Sequence, residues 1–67
     1  MRIHDVVELT VDVPRLGLRR GTRGTVVEVW AEPQLAYEVE FPDAGLPAPA
    51  TVALLPTQLT VAHGQAE

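Results

Sequence analysis

Arg15, Arg19, Arg20 and Arg23 fall within nine residues of a 67-residue chain that contains no lysine, and Arg2 is its only other cation. A guanidinium presents a planar fork of donors that matches carboxylate and phosphate geometry. Four of them on one segment are therefore suited to gripping an anionic surface. The competing use of such charge is solvation, with some of the four pairing to nearby acids such as Asp12 or Glu28 at the small energies of surface ion pairs. The formal net charge is −4, so this basic segment sits on an acidic domain. That balance argues against a surface that coats nucleic acid or anionic lipid, because such coats need positive charge overall.

Other residues with reactive side chains do not form constellations. His4 and His63 lie near opposite ends of the chain, there is no cysteine, and no pair of histidines or carboxylates has ligand spacing. The expectation is no metal site and no nucleophile–base pair, hence no catalytic residue, no cofactor and no enzymatic activity. Gly21-x-x-Gly24 lacks the lysine and the following helix of a phosphate loop. Glu38 and Glu40 share one face of a strand, where paired carboxylates serve as solvated surface and discourage edge-to-edge aggregation. Trp30 and Tyr37 flank a turn, and two rings so placed can form a shallow groove for an extended peptide. Their alternative use is to cap a core that has only three aromatic residues to draw on.

The elements that must position these residues are strands. Val7, Leu9, Val11 and Val13 alternate with polar residues across Asp5 to Val13, which predicts a first strand. Pro14 ends it, and Pro14 to Gly24, with glycines at 17, 21 and 24, reads as a long, mobile loop holding the whole arginine cluster. Gly24 to Trp30 is dense in β-branched residues and predicts a second strand, although Val26, Val27 and Val29 leave its inward face open. Ala31 to Leu35 turns the chain, and Tyr37, Val39 and Phe41 alternate with glutamates as a third strand, making a hairpin. Pro42 to Ala50 is a Pro/Ala-rich loop, and Thr51 to Leu55 is a fourth strand. Pro56 to Leu59 suits one helical turn before a short last strand, Leu59 to Val61, and a flexible tail over 62–67. Five short strands in one domain over 1–61 point to a small barrel of SH3-like type, since closure removes unpaired edges. With no stretch of 18 apolar residues and no leader-like start, a soluble, cytoplasmic protein without membrane contact is expected.

Asp5-Val6-Val7, the block Gly17-Leu-Arg-Arg-Gly-Thr-Arg-Gly-Thr-Val-Val-Glu-Val-Trp30 and Ala36-Tyr-Glu-Val-Glu-Phe41, taken in order, resemble the bacterial DUF4926 family, and the resemblance runs on to Leu59. It implies an SH3-like fold with a long first loop and a short terminal strand after a 3₁₀ turn. It implies no activity, and a place beside toxin-like or accessory proteins would suit such a family. The Pro/Ala-rich segment Pro42 to Ala50 departs from the family pattern. Gly21-Thr-Arg-Gly-Thr-Val26 is also similar to the core of KOW-type SH3-like domains, which contact ribosomal RNA or protein.

The leading expectation is a non-catalytic module, an antitoxin, immunity or accessory protein, that binds one protein partner through the Arg15 to Arg23 loop and the neighbouring strand edge, with Trp30 and Tyr37 as further candidates. A KOW-like RNA contact through the same arginines is the second expectation, disfavoured by the net acidity. A self-associating structural domain that pairs its strand edges is the third.

Overall fold

The computed structural model describes residues 1–42 and 50–63. Period-two alternation is clearest in Ala36–Phe41, and there Tyr37, Val39 and Phe41 point inward while Ala36, Glu38 and Glu40 remain half-buried on the other face. Five strands form one antiparallel sheet: β1 (Val6–Leu9), β2 (Arg23–Trp30), β3 (Ala36–Phe41), β4 (Ala50–Leu54) and β5 (Leu59–His63), in the spatial order β4-β3-β2-β1-β5. Two single 3₁₀ turns, Pro14–Leu16 and Pro56–Gln58, are the other regular elements among the described residues. The architecture is all-β, as the sequence predicts. Among the described residues no ladder joins β4 to β5, so the barrel is not closed by hydrogen bonds.

One apolar cluster holds the molecule together. It draws Val7 and Leu9 from β1, Val26 from β2, Tyr37, Val39 and Phe41 from β3, Val52 and Leu54 from β4, and Leu59 from β5. Both edge strands thus contribute to the cluster that the central strands build, which requires the sheet to curl over its own inner face. Two devices make the curl. Gly24, opposite Val7, has no side chain, and a Cβ there would lie 2.6 Å from the Glu40 carbonyl oxygen and 2.8 Å from Phe41 Cδ1. The β2–β3 register also slips between Val26 and Glu28, leaving Val27 as the extra residue of a β-bulge. Val26 pairs with Val39 and Val29 with Tyr37, so both packed valines face inward although they are three residues apart. This resolves the face that three valines left open.

Other boundaries shift slightly. β1 ends at Leu9 where alternation predicted a strand to Val13: Val11 is exposed, while Val13 is buried in an isolated bridge to Leu18. Pro56 opens the second 3₁₀ turn, whose end is tied by the Gln58 side-chain oxygen accepting from Leu55 N at 2.8 Å. Thr10 N donates to Gln58 O and Thr10 Oγ1 to Thr57 O, clamping this turn to the end of β1. β5 then runs to His63, two residues past the expected Val61. Most of the Pro/Ala-rich loop and the last residues of the expected tail, 64–67, lie outside the described residues.

Candidate arginine-loop site

The arginines sit on the connection between β1 and β2, and this connection is built more firmly than its glycines suggest. Pro14 starts a 3₁₀ turn, and Gly17 ends it with φ of 69°, donating its N–H to Pro14 O. Val13 and Leu18, 7 % and 3 % exposed, insert into the core and exchange backbone hydrogen bonds at 2.8 and 3.2 Å. The second half is pinned by Arg20 N donating to Asp12 Oδ1 at 2.8 Å, Thr22 N to Arg19 O, and Gly21 N to Leu9 O, with φ of 92° at Gly21. Two buried apolar side chains and these hydrogen bonds give the loop a defined conformation, and the bond from Gly21 N to Leu9 O ties it to β1.

The four arginines of the cluster divide into two groups. Arg23 belongs to β2, opposite Glu8 of β1, and its Nε donates to Glu8 Oε2 at 3.2 Å across the ladder. It is an exposed cross-strand ion pair, worth a fraction of a kcal/mol. Arg15, Arg19 and Arg20 are exposed, and among the described residues none of their guanidiniums meets a carboxylate. Asp12, a predicted ion-pair partner, instead accepts a backbone N–H, and Glu28 pairs with no arginine of the loop. Beside them Asp12, Pro14, Gly17, Leu18 and Arg19 line an open cavity of about 290 Å³. Three guanidiniums on a fixed frame next to a concavity can take an anionic side chain or group by bidentate hydrogen bonds.

Trp30 and Tyr37 do not make a groove. Tyr37 is 6 % exposed and lies within the core, whereas Trp30 is 49 % exposed on the opposite face, its Nε1 donating to Glu38 Oε1 at 3.3 Å. The register explains the separation: Tyr37 pairs with Val29 and Trp30 with Ala36, adjacent positions whose side chains alternate. Around Trp30 the outer sheet face is acidic, with Glu28 directly opposite Glu38 and Glu40 two residues further on. Basic loop and acidic face therefore occupy different parts of the molecule. The strand that leads into the loop has no free edge, because β1 is flanked by β2 and β5, and the nearest open edge belongs to β5.

Composition could not reveal Val13 and Leu18 as the loop's anchors, although two apolar residues amid glycine and arginine were their signal. Asp5 was also missed. It is 4 % exposed and accepts from Arg2 N at 2.8 Å, closing a turn in which His4 has φ of 79°. Among the described residues no group of three or more His, Asp or Glu side chains is placed to hold a metal ion. No helix among them is long and apolar enough to cross a membrane.

No curated protein and no solved structure matches the chain. The model of one family, a domain of unknown function, matches residues 3–61, which takes in all five strands except the last two residues of β5 and includes the entire arginine loop. With that match spanning most of its length, the chain belongs to the DUF4926 family.

Proposed function

We propose that this chain is a non-catalytic protein-interaction module whose Arg15 to Arg20 loop docks on an acidic surface of one protein partner. The observation that carries the proposal is the set of three exposed guanidiniums, Arg15, Arg19 and Arg20, without acid partners among the described residues, on a loop held by Val13 and Leu18. A loop whose backbone is already hydrogen-bonded in one conformation has less freedom to lose on binding, and desolvated Arg–carboxylate forks hold register as well as charge. An antitoxin, immunity or accessory role in the bacterial cytoplasm is the setting we infer. Trp30 and Tyr37 have no part in this contact.

The test is affinity capture from native lysate with wild type, the triple variant Arg15→Ser/Arg19→Ser/Arg20→Ser, and Arg23→Ser, with and without nuclease. A nuclease-resistant protein retained by wild type and Arg23→Ser, lost in the triple variant and weakened by salt in a binding assay with the purified pair, supports the proposal. Recovery of nuclease-sensitive nucleic acid that depends on the same arginines replaces it with a KOW-like contact, whose affinity falls steeply with salt. Capture indifferent to all three arginines removes the loop from the function.

A further inference from the structure

Beyond the arginine loop, we infer that the outer sheet face around Trp30 is a second docking site, one that takes an extended partner segment bearing arginine at alternate positions. Trp30 is the only tryptophan of the chain, and β2 presents it on the face away from the core, 49 % exposed. Scattered exposed aliphatic side chains are ordinary on a protein surface. A small domain with three aromatic residues, however, forgoes core volume by turning its largest one outward. Tryptophan is also among the residue types most enriched at the energetic centres of protein contacts. Among the described residues no α-helix or second sheet lies over this face.

The register gives the face its chemistry. Trp30 pairs with Ala36, Glu28 with Glu38 and Thr25 with Glu40, while on β4 Ala53 and Thr51 stand beside Glu38 and Glu40. Small side chains thus surround three carboxylates, and the indole is held next to them by Nε1 donating to Glu38 Oε1 at 3.3 Å. Glu28 and Glu38 point most directly to what binds. The bulge at Val27 sets them opposite each other, where like charges repel, and among the described residues no cation meets either carboxylate. A cation placed between them replaces that repulsion with two attractions.

Charge complementarity selects an arginine-bearing segment as the occupant. A guanidinium can stack flat on an indole and keep its edge donors for carboxylates, so Trp30 with Glu28 and Glu38 suits arginine better than lysine, whose ammonium is a strongly hydrated point charge. Glu38 and Glu40 are two residues apart on β3, about 7 Å along the strand. That is the spacing at which alternate side chains leave the same side of an extended peptide, so an Arg-x-Arg segment matches both acids. Nucleic acid and anionic membranes are repelled by the same carboxylates.

The single tryptophan reports on its own site. Titrating the full chain with the peptide Ac-Arg-Gly-Arg-NH2 should shift Trp30 emission to the blue and move the indole Nε1–H resonance, saturating near about 1 mM at low salt and weakening as salt screens the pairs. The same peptide with citrulline for arginine keeps the shape, loses the charge and should do neither. Glu28→Gln/Glu38→Gln leaves an acceptor for the indole and should weaken binding about tenfold. Ala53→Arg offers Glu38 a cation from the chain itself, so it should block the peptide, and it supplies the test if the double variant melts early by circular dichroism. Glu8→Gln removes one charge elsewhere on the sheet and should bind as wild type does, which separates this face from the general acidity. No response to the arginine peptide at about 5 mM overturns the inference. So does an equal response to the citrulline or lysine peptide, or binding that survives both the double variant and Ala53→Arg. A blue shift that grows with protein concentration alone and vanishes in Arg15→Ser/Arg19→Ser/Arg20→Ser also overturns it, giving the face to the loop of a second copy.

Discussion

Gly24 and Gly21 show how one residue type meets two different demands. At Gly21 the backbone has φ of 92° with open space where a Cβ would lie, so glycine is needed for conformation alone. At Gly24 there is no left-handed backbone to explain, and the constraint is room: the Cβ would strike the Glu40 carbonyl oxygen at 2.6 Å and Val39 Cγ1 at 2.7 Å. Sequence spacing marks both as punctuation of the loop and strand start, but it cannot distinguish them, because close approach depends on a neighbour from another strand. The two substitutions should therefore behave differently. Gly24→Ala forces β3 to shift and should cost about 3 kcal/mol, the upper range for overpacking. Gly21→Ala should cost about 1–2 kcal/mol from backbone strain. The 67-residue chain is short enough for chemical synthesis, and D-alanine at position 21, which favours positive φ, should recover the loss. Urea unfolding midpoints give the comparison, and equal costs for the two L-alanine variants would count against the close approach at Gly24.

At the level of elements, strands were legible where alternation is unbroken and misread where something else uses the same residues. β3 follows its period-two pattern throughout. In β1 the pattern continues beyond the strand, because Val13 is buried by the loop's return through Leu18 instead of by a ladder. In β2 the pattern breaks at Val27, and no single-strand periodicity reports a bulge, which exists only relative to a partner. The bulge also sets Glu28 opposite Glu38, a like-charge pair that alternation alone would not have aligned. Cross-strand pairs of like sign are destabilising by a few tenths of a kcal/mol. Glu28→Gln keeps the side-chain shape and removes the repulsion, so it should stabilise the domain by about 0.5 kcal/mol. Thermal melts at low salt should show the gain, and it should shrink near 1 M salt, where charges are screened beyond about 3 Å. A gain that persists unchanged at high salt would assign the effect to something other than charge.

For the whole molecule, the arginine cluster was visible in the sequence as a local excess, yet its division into one ion-paired strand residue and three loop residues whose guanidiniums meet no carboxylate among the described residues required the β1–β2 register that sets Arg23 against Glu8. Likewise the proximity of Trp30 and Tyr37 along the chain concealed that they face opposite sides of the sheet. That separation leaves two of the three aromatic residues in the core, and Phe41 is the largest of the fully buried side chains, packed close to Gly24 of β2. Domains hold about 0.05–0.15 kcal/mol of stability per residue, which for a chain of this size is about 3–10 kcal/mol in all. Removing a buried phenylalanine ring to alanine costs about 3–5 kcal/mol. With no cysteine in the chain and no second apolar cluster among the described residues to compensate, Phe41→Ala should take most or all of the stability. It should give a circular dichroism spectrum without a cooperative melt, whereas Phe41→Leu, which refills much of the space, should melt cooperatively at a lower temperature. Retention of a wild-type melt by Phe41→Ala would mean that the two edge strands do not depend on a shared centre. Its loss ties the arginine loop to that centre as well, since Val13 and Leu18 are held by the same cluster that Phe41 fills.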